Sequence, residues 1–167
     1  EYNKIETLEK LFAENPGKIG CVIMEVPGTD PVIDMKTGKN FLQLAKEVAN
    51  RNGALFVLDE IVTGFRYSLG GAQKYYNVVP DLACFGKGMA NGFAISAIVG
   101  KKEFMKELNE VFFSMTYSGD TIGLAAARAT INELMEKPVI KHIWDMGEVL
   151  HKGINSFAES IGLDFRI

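Results

Sequence analysis

Cysteine is scarce in this sequence, with only Cys21 and Cys84 among 167 residues. They stand far apart in apolar runs, with no Cys-x-x-Cys and no zinc spacing, which excludes a disulfide framework and a cysteine-built metal site. Both read as small buried hydrophobes, and a reducing, cytoplasmic setting fits such usage. Histidine is as rare: His142 and His151 lie too far apart on one helical stretch to share a metal as neighbours, and they read as surface residues. No apolar run reaches the ~18 residues that a membrane span needs, and no signal peptide opens the chain. Basic residues form no block or stripe, and 18 Lys and Arg against 21 Asp and Glu leave a net charge of −3. That balance disfavours nucleic acid as a partner. Neither a metal nor a membrane is expected.

What remains is an ordinary globular mixture, 47% hydrophobic and 23% charged. Short apolar strands alternate with amphipathic helices, the signature of an α/β domain. The pattern predicts a short helix over 5–14, stopped at Asn15-Pro16-Gly17, and a buried strand over 21–26. Phe41, Leu44, Ala45 and Val48 recur at helical spacing, with Asn40 and Gln43 placed to form a capping box and Asn52-Gly53 to end the helix. Ala54 to Leu58 is the clearest strand, apolar on both faces as in a sheet covered by helices. Further strands are predicted over 82–85 and 93–99, and helices over 102–109 and 121–136. From Ile140 to Ile161 steps of three and four describe one long helix with a single packed face. Trp144, the phenylalanines and the methionines read mostly as core.

In open α/β sheets ligands bind outside the carboxyl ends of strands. Two charged residues stand at such ends, Asp59 and Lys87, and an ionised group there needs a partner or a ligand. Gly86-Lys87-Gly88 is not a P-loop, since position 81 is Asp and position 88 is Gly where glycine and Ser or Thr are required. It is a near miss for a dinucleotide fingerprint, with Asn91 where the third glycine belongs. A lysine that makes a Schiff base suits it better: small neighbours let an aromatic cofactor approach the backbone, and a carboxylate elsewhere would hold a pyridine nitrogen protonated. Asp59 is the candidate carboxylate, and adjacent strand ends would put both groups on one rim.

Leu58-Asp59-Glu60-Ile61-Val62-Thr63-Gly64-Phe65-Arg66 resembles a hallmark segment of the class III aminotransferases, which depend on pyridoxal 5'-phosphate. Gly70-Gly71-Ala72-Gln73 and Val79-Pro80-Asp81-Leu82 are similar to the stretch after that segment in the glutamate-1-semialdehyde aminomutase-like branch. Phe85-Gly86-Lys87-Gly88-Met89 stands where that family carries its cofactor lysine, at the expected interval from Asp59. Ser114-Met115-Thr116-Tyr117-Ser118-Gly119 resembles the Thr-x-x-Gly segment before an alanine-rich helix. The resemblance covers almost the whole chain. It implies that Lys87 is catalytic and holds the cofactor as a Schiff base, that Asp59 pairs with the pyridinium nitrogen and that Ile61 packs on one face of the ring. It also implies that Thr116 binds the cofactor phosphate of the neighbouring subunit in a homodimer. The implied fold is the fold-type-I large domain, a three-layer α/β/α arrangement around a mostly parallel mixed sheet, with 93–99 as its antiparallel strand. The implied reaction moves an amino group between small-molecule donor and acceptor.

Some positions depart from the family pattern: Ala94 and Ser96 replace Pro and Gly, Asp120 replaces Asn, Val26 follows Glu25 where Pro is common, and Val62 replaces glutamine. The last leans the resemblance toward the aminomutase-like branch. None falls on Lys87, Asp59 or Thr116. Family members are more than twice as long, so the chain is expected to be a central fragment. Residues 1–160 would belong to the cofactor-binding large domain, and 161–167 would start the connection to a C-terminal small domain. Alone it is expected to be inactive. The alternatives are a decarboxylase or racemase of the same fold, or a folded dimerisation fragment without catalysis.

Overall fold

The computed structural model describes residues 1–112 and 114–167. Four strands, β1 (Cys21–Met24), β2 (Leu55–Glu60), β3 (Leu82–Phe85) and β4 (Ala97–Gly100), lie side by side in sequence order. The first three are parallel and β4 returns antiparallel to β3, as the sequence led us to expect. The helices are α1 (Ile5–Glu14), α2 (Phe41–Arg51), α3 (Gly71–Tyr75), α4 (Lys102–Met105), α5 (Thr121–Glu136) and α6 (Val139–Ser160). Among the described residues no helix is long and apolar enough to cross a membrane.

Local chemistry sets these boundaries. The Asn40 side chain accepts from the Gln43 amide at 3.0 Å, and the Gln43 side chain accepts from the Asn40 amide at 3.0 Å, which completes the capping box of α2. The Asn40 side-chain amide also donates to the Tyr76 carbonyl at 2.7 Å, fixing that cap to the end of α3. Asp120 caps α5 by accepting from the Gly123 amide at 2.7 Å.

Phe41, Leu42, Ala45, Val48 and Ala49 of α2 pack onto Phe56 and Leu58 of β2, with Phe12 of α1 beneath them. A smaller cluster joins Ala127 of α5 to Met89 and Ala90, which follow β3, with Phe65, Phe85 and Ile95 around it. Strand alternation puts Phe56, Leu58 and Glu60 on this helical side and Val57 and Asp59 on the other. On that other side Cys21 is exposed, Ile23 is 61% exposed and Ile98 is 42% exposed. Among the described residues the sheet therefore carries helices on one face, as an incomplete piece of the three-layer arrangement.

Several elements differ from the expectation. The strand expected to run buried over 21–26 is the exposed edge strand β1, and it ends at Met24. Cys21 is exposed rather than buried, while Cys84 is half-buried. The strand expected over 93–99 begins only at Ala97, because Asn91 (φ 46°) and Gly92 (φ 108°) reverse the chain and the next residues return it to the sheet. The long helix is present, but its apolar stripe is open: Ile143, Leu150, Phe157 and Ile161 are all exposed. Trp144 and most of the methionines are exposed as well. The Trp144 indole N–H still anchors α6 by donating to the Arg66 carbonyl at 2.9 Å.

Candidate cofactor site

Because β2 and β3 are parallel, their carboxyl ends open onto one edge, and the register pairs Asp59 with Cys84 and Glu60 with Phe85. Lys87 lies just past Phe85, so Asp59 and Lys87 come from adjacent strand ends. Asp59 is half-buried, and its Oδ1 accepts from the Ile61 amide at 2.9 Å. Asp59 and Cys84 are register partners on one sheet face; burial pushes the Cys84 thiol up from its ordinary pKa, and the neighbouring Asp59 carboxylate adds to the shift.

Lys87 opens a short 3-10 turn, Lys87–Met89, with φ 41°, a left-handed backbone that non-glycine residues avoid. Such strain costs on the order of 1–2 kcal/mol and collects at functional sites. The side chain is exposed and, among the described residues, has no hydrogen-bond or ion-pair partner. At Gly86 an added Cβ would stand 3.1 Å from Ile61 Cδ1, so the small residue lets Ile61 lie directly against the lysine loop. Gly64 is tighter still: a Cβ there would meet the Glu60 carbonyl and the Phe85 ring, both at 2.6 Å.

Pyridoxal phosphate requires a carboxylate for its ring nitrogen, an amine for its aldehyde and an apolar wall for its ring. Asp59, Lys87 and Ile61 have that chemistry at one sheet edge, and the residues present fit the group. Thr116 is exposed and lines a cavity of about 620 Å³ beside Ile95, Ile98, Leu108 and Leu124, a lining that includes none of Asp59, Ile61 and Lys87. Among the described residues no cluster of His, Cys, Asp and Glu could hold a metal.

Sequence reasoning gave no role to two buried carboxylates. Glu60 is fully buried and accepts from Thr63 Oγ1 at 2.5 Å, the Ala72 amide at 2.9 Å and the Gln73 amide at 2.8 Å. Asp81 is 1% exposed and accepts from the Phe56 amide and the Asn50 side chain, each at 2.8 Å, while Lys101 Nζ lies 2.6 Å from its Oδ1. Burial alone would raise the Asp81 pKa, but these donors, Lys101 foremost, hold it below the ordinary carboxylate value. A carboxylate ending an apolar strand, with a hydroxyl and a glycine pair downstream, was the available signal for Glu60.

A family model described as aminotransferase class-III matches residues 1–163. The chain is 37% identical over 171 residues to the glutamate-1-semialdehyde 2,1-aminomutase of Methanosphaera stadtmanae, covering 100% of this chain and 40% of that protein. It is 45% identical over 142 residues to the enzyme of the same name from Caldicellulosiruptor bescii, covering 83% of this chain and 33% of that one. Among solved structures, the FumI protein of Sphingopyxis sp., in its PLP internal aldimine form, matches with a TM-score of 0.84 at 26% identity, over 96% of this chain and 39% of that one. The N-acetylornithine aminotransferase of Stenotrophomonas maltophilia matches in fold, with a TM-score of 0.73 at 23% identity over 97% of this chain and 41% of that one. The fold is thus that of the fold-type-I large domain. The chain spans at most about 40% of the length of these curated relatives.

Proposed function

From the premise that this chain belongs to the class III aminotransferase family, we propose that it is the cofactor-binding part of a pyridoxal-phosphate enzyme that transfers amino groups. The observation that carries this reading is the parallel register of β2 and β3, which brings Asp59 and Lys87 to neighbouring strand ends. The similarity to proteins named glutamate-1-semialdehyde 2,1-aminomutase favours an aminomutase-like reaction among the family's amino transfers.

Bound at this edge, pyridoxal phosphate supplies a protonated ring that draws electron density from the amine carbon. Asp59 keeps the proton on the ring nitrogen by offering a carboxylate there. The Lys87 amine is nucleophilic once deprotonated and desolvated, holds the cofactor, and moves the proton at the amine carbon when released. Ile61 supports the ring from the side of the lysine loop. The cavity that Thr116 lines includes none of Asp59, Ile61 and Lys87, which favours a phosphate contact made to the neighbouring subunit of a homodimer. The two unpaired thiols suit a cytoplasmic enzyme.

The test is borohydride reduction in the presence of pyridoxal phosphate, followed by peptide mass mapping, on the wild type and on Lys87→Ala. Selective label at Lys87, absent from the variant, is expected. Label scattered over surface lysines and unchanged by the substitution would refute a working pocket. The 167 residues alone are expected to transaminate no donor, and measurable turnover by them would show that no further segment is needed.

A further inference from the structure

We propose that Glu60 is the positioning residue of this site, setting the Asp59–Ile61 arm against the Lys87 loop; the proposal rests on reading Lys87 and Asp59 as cofactor ligands. Glu60 follows Asp59 directly, but strand alternation turns it to the opposite face, into the helical side of the sheet. There it is fully buried. Its two oxygens accept three hydrogen bonds, one from the Thr63 hydroxyl and two from the first amides of α3. A buried carboxylate so held is costly to disturb, because each abandoned donor loses a buried acceptor.

The three bonds fix a specific geometry. Thr63 belongs to the turn that carries Ile61, and the Gly64 amide closes the same turn on the Glu60 carbonyl at 2.8 Å. Ala72 and Gln73 belong to the segment that returns under the sheet. Gly71, at φ 75°, leaves room for the carboxylate, since a Cβ there would stand 2.5 Å from Glu60 Oε1. The turn fixed in this way presses Gly64 on Phe85 and Ile61 on Gly86, the two residues before Lys87. Glu60 therefore couples both arms of the site from the opposite face of the sheet.

The experiment uses a full-length protein that carries this sequence, comparing wild type with Glu60→Gln and Thr63→Val. Glutamine offers one acceptor where two faced donors, so at least one α3 amide loses its partner; valine removes only the Thr63 bond. Cofactor affinity is read by equilibrium dialysis, and the pH titration of the visible band of lysine-bound cofactor is read beside it. Thermal unfolding of the cofactor-free proteins reports stability separately. We expect affinity to fall by roughly tenfold in Glu60→Gln, about what one lost hydrogen bond to a charged group is worth. A smaller fall is expected in Thr63→Val, with the band's titration shifted in both. Lower melting temperatures with unchanged affinity and titration would show a purely structural role and overturn the proposal. If Glu60→Gln does not fold, Thr63→Val decides by the same readouts. Failure of the wild type to bind cofactor at Lys87 would instead refute the site itself, and the proposal would fall with it.

Discussion

Replacing Asp81 by asparagine should destabilise the chain by about 1–2 kcal/mol, and the structure gives the reasons for that size. Asparagine keeps one oxygen where Asp81 accepts from the Phe56 amide and the Asn50 side chain, so those bonds survive. Its amide group then faces Lys101 Nζ, and a donor replaces the acceptor that stood 2.6 Å away. A hydrogen bond to a charged group is worth about 1.5–3 kcal/mol. The Lys101 side chain is 41% exposed and rehydrates when released, which moves the loss toward the low end. Asp81→Ala also orphans the Phe56 amide and should lose about 3 kcal/mol. Urea unfolding, with a double-mutant cycle through Lys101→Met, separates the pair from its surroundings. An Asp81→Asn midpoint equal to the wild type, or losses that simply add in the double variant, would refute this coupling. The pair also sets a pH window. The Asp81 pKa is lowered in the folded state, so its contribution is present above the ordinary carboxylate value and lost as pH falls through the lower folded one. The Lys101 pKa is raised, chiefly by its bond to Asp81, so its contribution is complete below the ordinary lysine value and lost as pH rises through the higher folded one.

Two further substitutions test the scaffold beneath the site. Gly71→Ala forces a β-carbon into a left-handed backbone and against the Glu60 carboxylate. It should cost about 2 kcal/mol or more in urea unfolding, and a neutral result would mean that α3 shifts freely. Asn40→Ala removes both the α2 cap and the bond to the Tyr76 carbonyl, and should cost about 1–2 kcal/mol. Asn40→Asp, which keeps the cap but not the donor to Tyr76, should recover part of that loss.

The sequence by itself determined the elements whose causes are local. The capping box at Asn40 and Gln43 needs four consecutive residues and no tertiary partner, and it forms as read. Two apolar runs that each end at a charged residue let Asp59 and Lys87 be placed on one rim should the strands be adjacent, and the parallel β2–β3 pair makes them so. The motif around them carried the family resemblance, because its chemistry is written in contiguous residues.

Tertiary structure decided what depends on which surfaces meet. Periodicity marks the apolar face of α6 and the apolar residues of β1, but cannot say what covers them; here the α6 stripe and the Cys21 and Ile23 face of β1 stand open, while Val22 and Met24 pack on the core. The resemblance gave Thr116 to the cofactor of a neighbouring subunit, and only the fold shows which cavity it lines in this chain. Glu60 and Asp81 look like any other acidic residues until the sheet buries them, and burial is what turns each into a fixed acceptor. Charge and pattern are properties of a residue and its near neighbours in the chain. The worth of a buried carboxylate belongs to donors brought from distant segments, and only the folded sheet assembles them.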